Sequence, residues 1–313
     1  MKIRYILLCA LISLLVWGSL FLFVLKKELT VGLYKDFFEH KIARMEKSVS
    51  PRFFIIAGSN GLYSHDAETF EKKLSLPSTN LSMVAMFPLS YLFERYKPLF
   101  RPGDIVYLPV EYHNYTANDK LNSFGDVYDI TIERSFKNLN IKTFYNSFSR
   151  FDLYALLESV VESGLAAKGF QRRVTVNDLT AYGDFSSNKS AAAEAYQAYL
   201  ASLPRMTVGF SKTVPGLKDF LQWAAVNKIT VIGGLPTCFD DTELPKDTEK
   251  KIEKFFTDNN ALFVTASNRS FYPRTSFFDT PYHLQREIQI QHSAAVADAI
   301  LKKYPEYFPA VSK

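Results

Sequence analysis

Hydrophobic and polar positions divide the chain into an apolar leader and a body of short alternating elements. From Tyr5 to Leu25 the sequence YILLCALISLLVWGSLFLFVL carries no charged residue. As a helix rising 1.5 Å per residue it reaches about 30 Å, the thickness of a bilayer's hydrocarbon core. The run exceeds the roughly 7–15 apolar residues of a cleavable signal peptide, and no small-x-small cleavage site comes before Lys26 and Lys27, so residues 1–27 read as a retained membrane anchor. Lys2 and Arg4 precede it, while Lys26, Lys27, Lys35, Lys41 and Arg44 follow. Taken alone, the positive-inside rule favours a cytoplasmic body, but long domains translocate despite their charge, so it discriminates poorly. Over residues 28–50, Leu33, Phe37, Phe38, Ile42 and Met45 share one helical face, predicting a helical stalk that Pro51 ends.

The body over residues 51–313 alternates buried-strand and helix patterns. Arg52–Ala57 is a short apolar run between Pro51 and Gly58, followed by a polar-faced helix at Ala67–Leu74. Similar strand-like runs recur at Thr79–Val84, Asp104–Val110, Ile229–Gly234 and Ala261–Thr265, separated by helix-like segments at Ser90–Tyr96, Val214–Asn227 and Asp247–Asp258. This order predicts an α/β fold with a doubly wound, mainly parallel sheet. Between about 115 and 206 the pattern changes to helical stretches such as Phe151–Ala167 and Ser190–Ser202, read as a helical insertion. Gln285–Lys303 closes the chain as a last helix.

Composition narrows the possible partners. Of 313 residues, 47% are hydrophobic and 15% aromatic, which excludes a disordered chain. The net charge of +5 is modest, and its basic residues are interspersed with acidic ones, so no nucleic-acid partner is expected. The two cysteines, Cys9 and Cys238, build no disulfide framework. No H-E-x-x-H, C-x-x-C, EF-hand or P-loop pattern is present, and neither a metal nor a nucleotide cofactor is expected.

Two segments carry candidate chemistry. In Ala57-Gly-Ser-Asn-Gly-Leu-Tyr-Ser-His-Asp66, Ser59 lies between glycines directly after a buried strand, where open α/β sheets place ligands. Backbone amides at the start of the next helix would stabilise negative charge developing beside its hydroxyl. The same segment also reads as a loop with Ser59 as a helix cap. In Phe277-Phe-Asp-Thr-Pro-Tyr-His-Leu284, Asp279 and His283 flank Pro281, so the carboxylate can orient an imidazole acting as general base. The competing reading makes Asp279 or Thr280 the cap of the last helix. His65 and His113 read as site-lining alternatives, while His40 and His292 fall inside helical segments. Asn177–Asp184 reads as a polar turn, or as a loop folded over the site.

Together, a strand-Gly-Ser near the start and Asp-x-x-x-His before the final helix resemble the SGNH, or GDSL-like, hydrolase and acyltransferase superfamily over most of residues 52–304. The resemblance implies a flavodoxin-like three-layer fold with Ser59 as nucleophile and Asp279 and His283 as its acid–base partners. It further implies oxyanion donors at the second and third blocks. Here Ser82 stands in place of the usual glycine, and Asn114 is the nearest asparagine in Leu108-Pro-Val-Glu-Tyr-His-Asn114. Asn60, His65, Glu111, Tyr112 and Tyr282 would line the substrate. The chain departs from the pattern in lacking G-D-S and in spacing Asp279 and His283 one residue wider. With an N-terminal anchor, it resembles envelope acyl-transfer proteins of the lipoteichoic acid D-alanylation and alginate O-acetylation types. That resemblance implies an extracytoplasmic domain acylating a cell-envelope or extracellular polysaccharide. Its partners would be an acyl donor or an acylated membrane-bound O-acyltransferase. An esterase or deacetylase of the same fold and a catalytically silent scaffold beside the membrane enzyme are the alternatives.

Overall fold

A computed structural model of the protein describes residues 2–25, 32–85, 87–115, 161, 164, 168, 174–188, 190–210 and 215–309. The chain forms two compact units, Met1–Asp36 with Ser123–Thr175 and Phe37–Asn122 with Val176–Lys313. In the first, α1 (Lys2–Leu25) is one continuous helix whose window Ile3–Leu20 has a mean hydropathy of 2.0 and no buried residue. By length and composition it can cross a membrane. Most of the expected insertion at 115–206, including nearly all of Phe151–Ala167, lies outside the described residues, whereas α6 (Ser190–Ser202) is a helix as expected.

The second unit is built on a five-stranded parallel sheet. Its strands are β1 (Phe53–Ile55), β2 (Ser78–Asn80), β3 (Ile105–Leu108), β4 (Thr230–Gly234) and β6 (Leu262–Val264), in the order β2-β1-β3-β4-β6. A short parallel pair, β5 (Cys238–Phe239) with β7 (Phe271–Tyr272), stands apart. The strands are short and almost wholly buried because helices cover both faces, and all but the polar β2 (Ser-Thr-Asn) are largely apolar. On one face Phe53, Ile55, Ile105, Ile232 and Val264 pack under α4 (Ala67–Leu74) and the last helix, α9 (Arg286–Lys303), through Phe70, Leu74, Val296 and Ile300. On the other face Phe54 meets Phe100 at 5.4 Å, and Phe93 of α5 (Leu89–Tyr96) stacks at 4.1 Å on Phe220 of α7 (Pro215–Val226). Phe256 of α8 (Thr248–Asp258) covers Gly233 on that face, where a side chain would come within 2.5 Å of its ring. The doubly wound reading of the sequence therefore describes the sheet.

The N-terminal ends of the strands are fastened by an ion pair. Arg52 and Asp104 are both fully buried and paired, and Asp104 also accepts from the amides of Arg52 and Arg101 and the hydroxyl of Ser50. Arg52 further donates to the carbonyls of Met45 and Leu99. Each buried charge thus has several partners, the condition under which such a pair is tolerated.

The helix before Pro51 is not a free stalk, which corrects the expectation for residues 28–50. From Phe37 onward α2 (Gly32–Lys47) belongs to the second unit, burying Phe37, Phe38, Lys41 and Met45 completely or nearly so. Phe38 meets the edge of Phe87 at 5.2 Å. Phe37, Phe38 and Met45 of the stripe seen in the sequence therefore form a packing face, each contributing about 1.5–3 kcal/mol. Replacing Phe38 with Ala should lower unfolding free energy in urea by about 3–5 kcal/mol, as for a core aromatic. A change within about 0.5 kcal/mol, as at an exposed stalk position, would contradict this packing.

Candidate active site

The order β2-β1-β3 places a topological switch between β1 and β3, where the chain leaves in opposite directions and open sheets form crevices. Ser59 follows β1 at that end, and Glu111 follows β3. Ser59 opens a six-residue helix, α3 (Ser59–Ser64), capped by Gly58 with no side-chain bond from its own segment. The helix-cap reading of Ser59 is therefore not what forms. Its hydroxyl and amide hold no hydrogen bond among the described residues, and the residue is partly exposed. The Glu111 carboxylate caps the turn instead, accepting from Gly58 N at 3.2 Å and Asn60 N at 2.9 Å. Gly61 is obligatory on the buried side, since a Cβ there would lie 2.0 Å from Ser82 Oγ.

The downstream segment forms a tight loop. Phe277 and Leu284 pair as an antiparallel bridge, both fully buried beside Leu200 and Phe239, and Phe278 N donates to the His283 carbonyl at 2.7 Å. With Pro281 at its tip, this closure brings His283 Nδ1 to 2.6 Å from Asp279 Oδ1. A carboxylate accepts only, so the imidazole carries a proton on Nδ1, which leaves Nε2 as the nitrogen that can accept one. Asp279 therefore does not cap α9, whose first turn follows Gln285 without a side-chain cap.

The two segments meet directly. Asn60 Nδ2 and Ser64 Oγ, one turn apart on α3, both donate to the Tyr282 carbonyl, at 3.1 and 2.7 Å. Leu284 N returns a bond to Ser64 Oγ at 3.1 Å. Thr237, after β4, accepts from Asn60 Nδ2 at 2.6 Å and bonds Ser64 Oγ at 3.0 Å. Along the neighbouring row of α3, Tyr63 stacks its ring on His283, with centroids 4.0 Å apart and planes at 10°. Phe185 packs against the far side of Tyr63 at 4.4 Å. Ser59 and Tyr63 are four residues apart, so their side chains leave the same face of the helix, the face that meets the imidazole, and no hydrogen bond joins Ser59 to His283 among the described residues. Asn188 ties the same elements from behind, donating to the carbonyls of Tyr63 and Leu284 at 3.2 and 2.6 Å.

Beneath α3 lies a buried polar layer. Asn80 Nδ2 donates to Gly61 O, His65 O and Asp184 Oδ1 at 2.7, 3.1 and 3.0 Å, and Lys41 of α2 donates to the carbonyls of Asn80 and Gly183. Burial pushes the Lys41 ammonium down to about 7, against the pull of Asp184. Burial, then the Asp66 carboxylate, pushes Asp184 up to about 6, although bonds from Ala67, Asn80 and Thr180 favour its charge.

Several expected residues serve other purposes. Ser82 is fully buried, its amide is taken by Asn80 Oδ1 at 3.0 Å and its hydroxyl accepts from Ala57 N, which corrects its assignment as an oxyanion donor. Asn114 is partly exposed and donates to Glu111 Oε2 at 3.4 Å, so it does border the Ser59 turn. Asn60 and Glu111 are buried supports of that turn, and Tyr112 is buried, its hydroxyl without a hydrogen bond among the described residues and its phenol raised by desolvation. Tyr282 is half-buried beside His283 and presents its carbonyl to α3. Asn177–Asp184 packs as a turn under α3, with Phe185 N on Leu62 O at 3.0 Å. Cys238 is buried and its thiol is pushed up to about 12 by desolvation. No group of three or more ligating side chains suited to a metal occurs among the described residues. The supports Tyr63, Ser64, Asn188 and Thr237 were not singled out by sequence; only the position of Thr237 after a strand's C-terminal end could have drawn attention.

His65 does not line the site either. It is fully buried, with Nε2 at 3.3 Å from His292 Nε2, and His292 Nδ1 lies 3.0 Å from the Tyr272 hydroxyl. Burial lowers both rings, His292 to about 3 and His65 well below the usual imidazole range, where His292 adds to the effect. Both stay neutral in the folded state, while the unfolded chain protonates them below about pH 6.5. Their stabilisation is complete above that pH and is lost as pH falls from about 6.5 toward 3, at about 1.4 kcal/mol per pH unit per ring. Asp184, raised instead of lowered, opposes them below about pH 6, one group against two. Unfolding free energy should therefore decline by on the order of 1 kcal/mol per unit between pH 6.5 and 5. A flat or rising profile in denaturant titrations would rule out the neutral pair.

Comparison with protein-family models, curated proteins and solved structures finds no match for this chain.

Proposed function

We propose that the protein is a serine-dependent acyl-transfer enzyme of SGNH-like type, held to a membrane by α1, with its α/β body outside the cytoplasm acting on an envelope or extracellular polysaccharide. One observation carries this reading. His283, oriented by Asp279 at 2.6 Å and stacked on Tyr63, sits against the helix that Ser59 begins. The glycan as acceptor and the extracytoplasmic placement rest on the resemblance of the motifs together with an N-terminal apolar helix.

The chemistry proceeds in two halves. His283 Nε2 takes the Ser59 proton as Oγ attacks the acyl carbonyl, forming the C–O bond and sending the π electrons to oxygen. The Ser59 amide and the Asn114 side chain are the groups suited to receive that charge. Collapse breaks the bond to the donor's leaving oxygen, which takes the proton from His283. A sugar hydroxyl then gives its proton to His283, attacks the acyl-serine carbonyl and releases Ser59, which recovers a proton. Asp279 keeps the imidazole in the required tautomer and balances its charge while it holds the proton.

The test is acyl transfer from a labelled ester donor to glycan by the full-length protein. Ser59→Ala should abolish acylated sugar, and Asp279→Asn should lower kcat by about 10²–10⁴. Full activity of a well-folded Ser59→Ala protein would overturn the mechanism. Release of free acid without acylated sugar would leave a hydrolase in place of a transferase.

A further inference from the structure

Glu111 is a buried carboxylate, 1% exposed, with no cationic side chain hydrogen-bonded to it among the described residues. A charge in that position needs a purpose, because desolvating it is expensive unless its lone pairs are filled. Among the described residues they are filled by groups of the proposed site alone: Gly58 N and Asn60 N, on either side of Ser59, and Asn114 Nδ2. We infer that Glu111 is the positioning residue that fixes the nucleophile turn and orients its oxyanion donors, a role that rests on the serine-dependent reading above.

The geometry explains how. By holding the amides before and after Ser59, the carboxylate sets the peptide planes of the turn and leaves the Ser59 amide as the unbonded donor between them. A side-chain amide has two hydrogens, so Asn114 can give one to Glu111 and keep the other for a developing oxyanion. The fit is also the reason for Gly58, where a Cβ would stand 2.6 Å from Glu111 Oε1. Gly58 has a negative φ of −75°, outside the left-handed region that favours glycine, and the close contact its missing side chain avoids is with the carboxylate. Glu111 thus lies one step away from the reacting atoms and acts through Ser59 and Asn114.

The experiment is inactivation of the full-length protein by a fluorophosphonate. In this reaction Ser59 Oγ forms a bond to phosphorus, the P–F bond breaks, fluoride leaves and the serine proton passes to His283. Wild-type labelling at Ser59, read by peptide mapping, checks the underlying mechanism by itself; no labelling there removes that mechanism and this inference with it. Given labelling, Glu111→Gln should lower the maximal inactivation rate about 10- to 100-fold, as for a displaced reacting group, while probe affinity stays within about twofold. Gly58→Ala, which pushes the carboxylate aside with one methyl group, should reproduce the loss and decides the matter should Glu111→Gln fail to fold. In Glu111→Ala, adding Gly58→Ala should lower the rate no further. An unchanged inactivation rate in a folded variant, a change confined to probe affinity, or additive losses in the double variant would each overturn the role of Glu111.

Discussion

The proposed site depends on one shared acceptor. The Tyr282 carbonyl receives hydrogen bonds from Ser64 and Asn60, joining segments 218 and 222 residues apart in the chain. Without that junction the Asp279–His283 loop would have no fixed relation to Ser59. The contacts around it are buried, and Thr237 and Leu284 complete them, so removing any one leaves a polar group unsatisfied in the interior. Tyr63 adds a second constraint by fixing the plane of the imidazole through stacking, where the hydrogen bonds fix its distance along the loop.

That junction is supported from two directions. From the side of the sheet, Glu111 holds the first turn of α3. From below, Asn80 and Asp184 hold its end and the start of α4, and Lys41 bonds to the same Asn80. Because Lys41 belongs to α2, the helix following the apolar leader in sequence is part of the scaffold under the candidate nucleophile. A tether would need no such contacts. The cost is a set of buried ionisable groups whose ordinary protonation states are disfavoured, as the lowered Lys41 and raised Asp184 illustrate.

Much of the framework was legible in the sequence because it follows local rules. Short apolar runs bounded by Pro51, Gly58 and similar breakers became four of the parallel strands, and Ala67–Leu74 formed with the bounds its polarity pattern suggests, whereas β2 is the polar Ser78–Asn80, which shares only two residues with the run Thr79–Val84. The Asp279–His283 contact was legible too, since Pro281 stiffens a loop only a few residues long. What sequence could not reveal depends on long-range packing. Periodicity identifies an apolar face on α2 but not whether that face is covered. The motif resemblance makes Ser82 an oxyanion donor, yet Asn80 two residues earlier already occupies its amide. His65 stands close to Ser59 in sequence, but α3 carries it round into the core against His292. Tyr63, Asn188 and Thr237 are ordinary residues until the fold brings them together.

The proposed mechanism requires Ser59 to carry an acyl group, with His283 as its base. Its most direct measurement is mass-spectrometric peptide mapping after brief exposure to an activated acetyl ester at neutral pH. One acetyl group is expected on the peptide containing Ser59, lost on addition of a hydroxyl acceptor and absent in His283→Ala. Acetyl groups confined to lysines, with the Ser59 peptide unmodified, would contradict it.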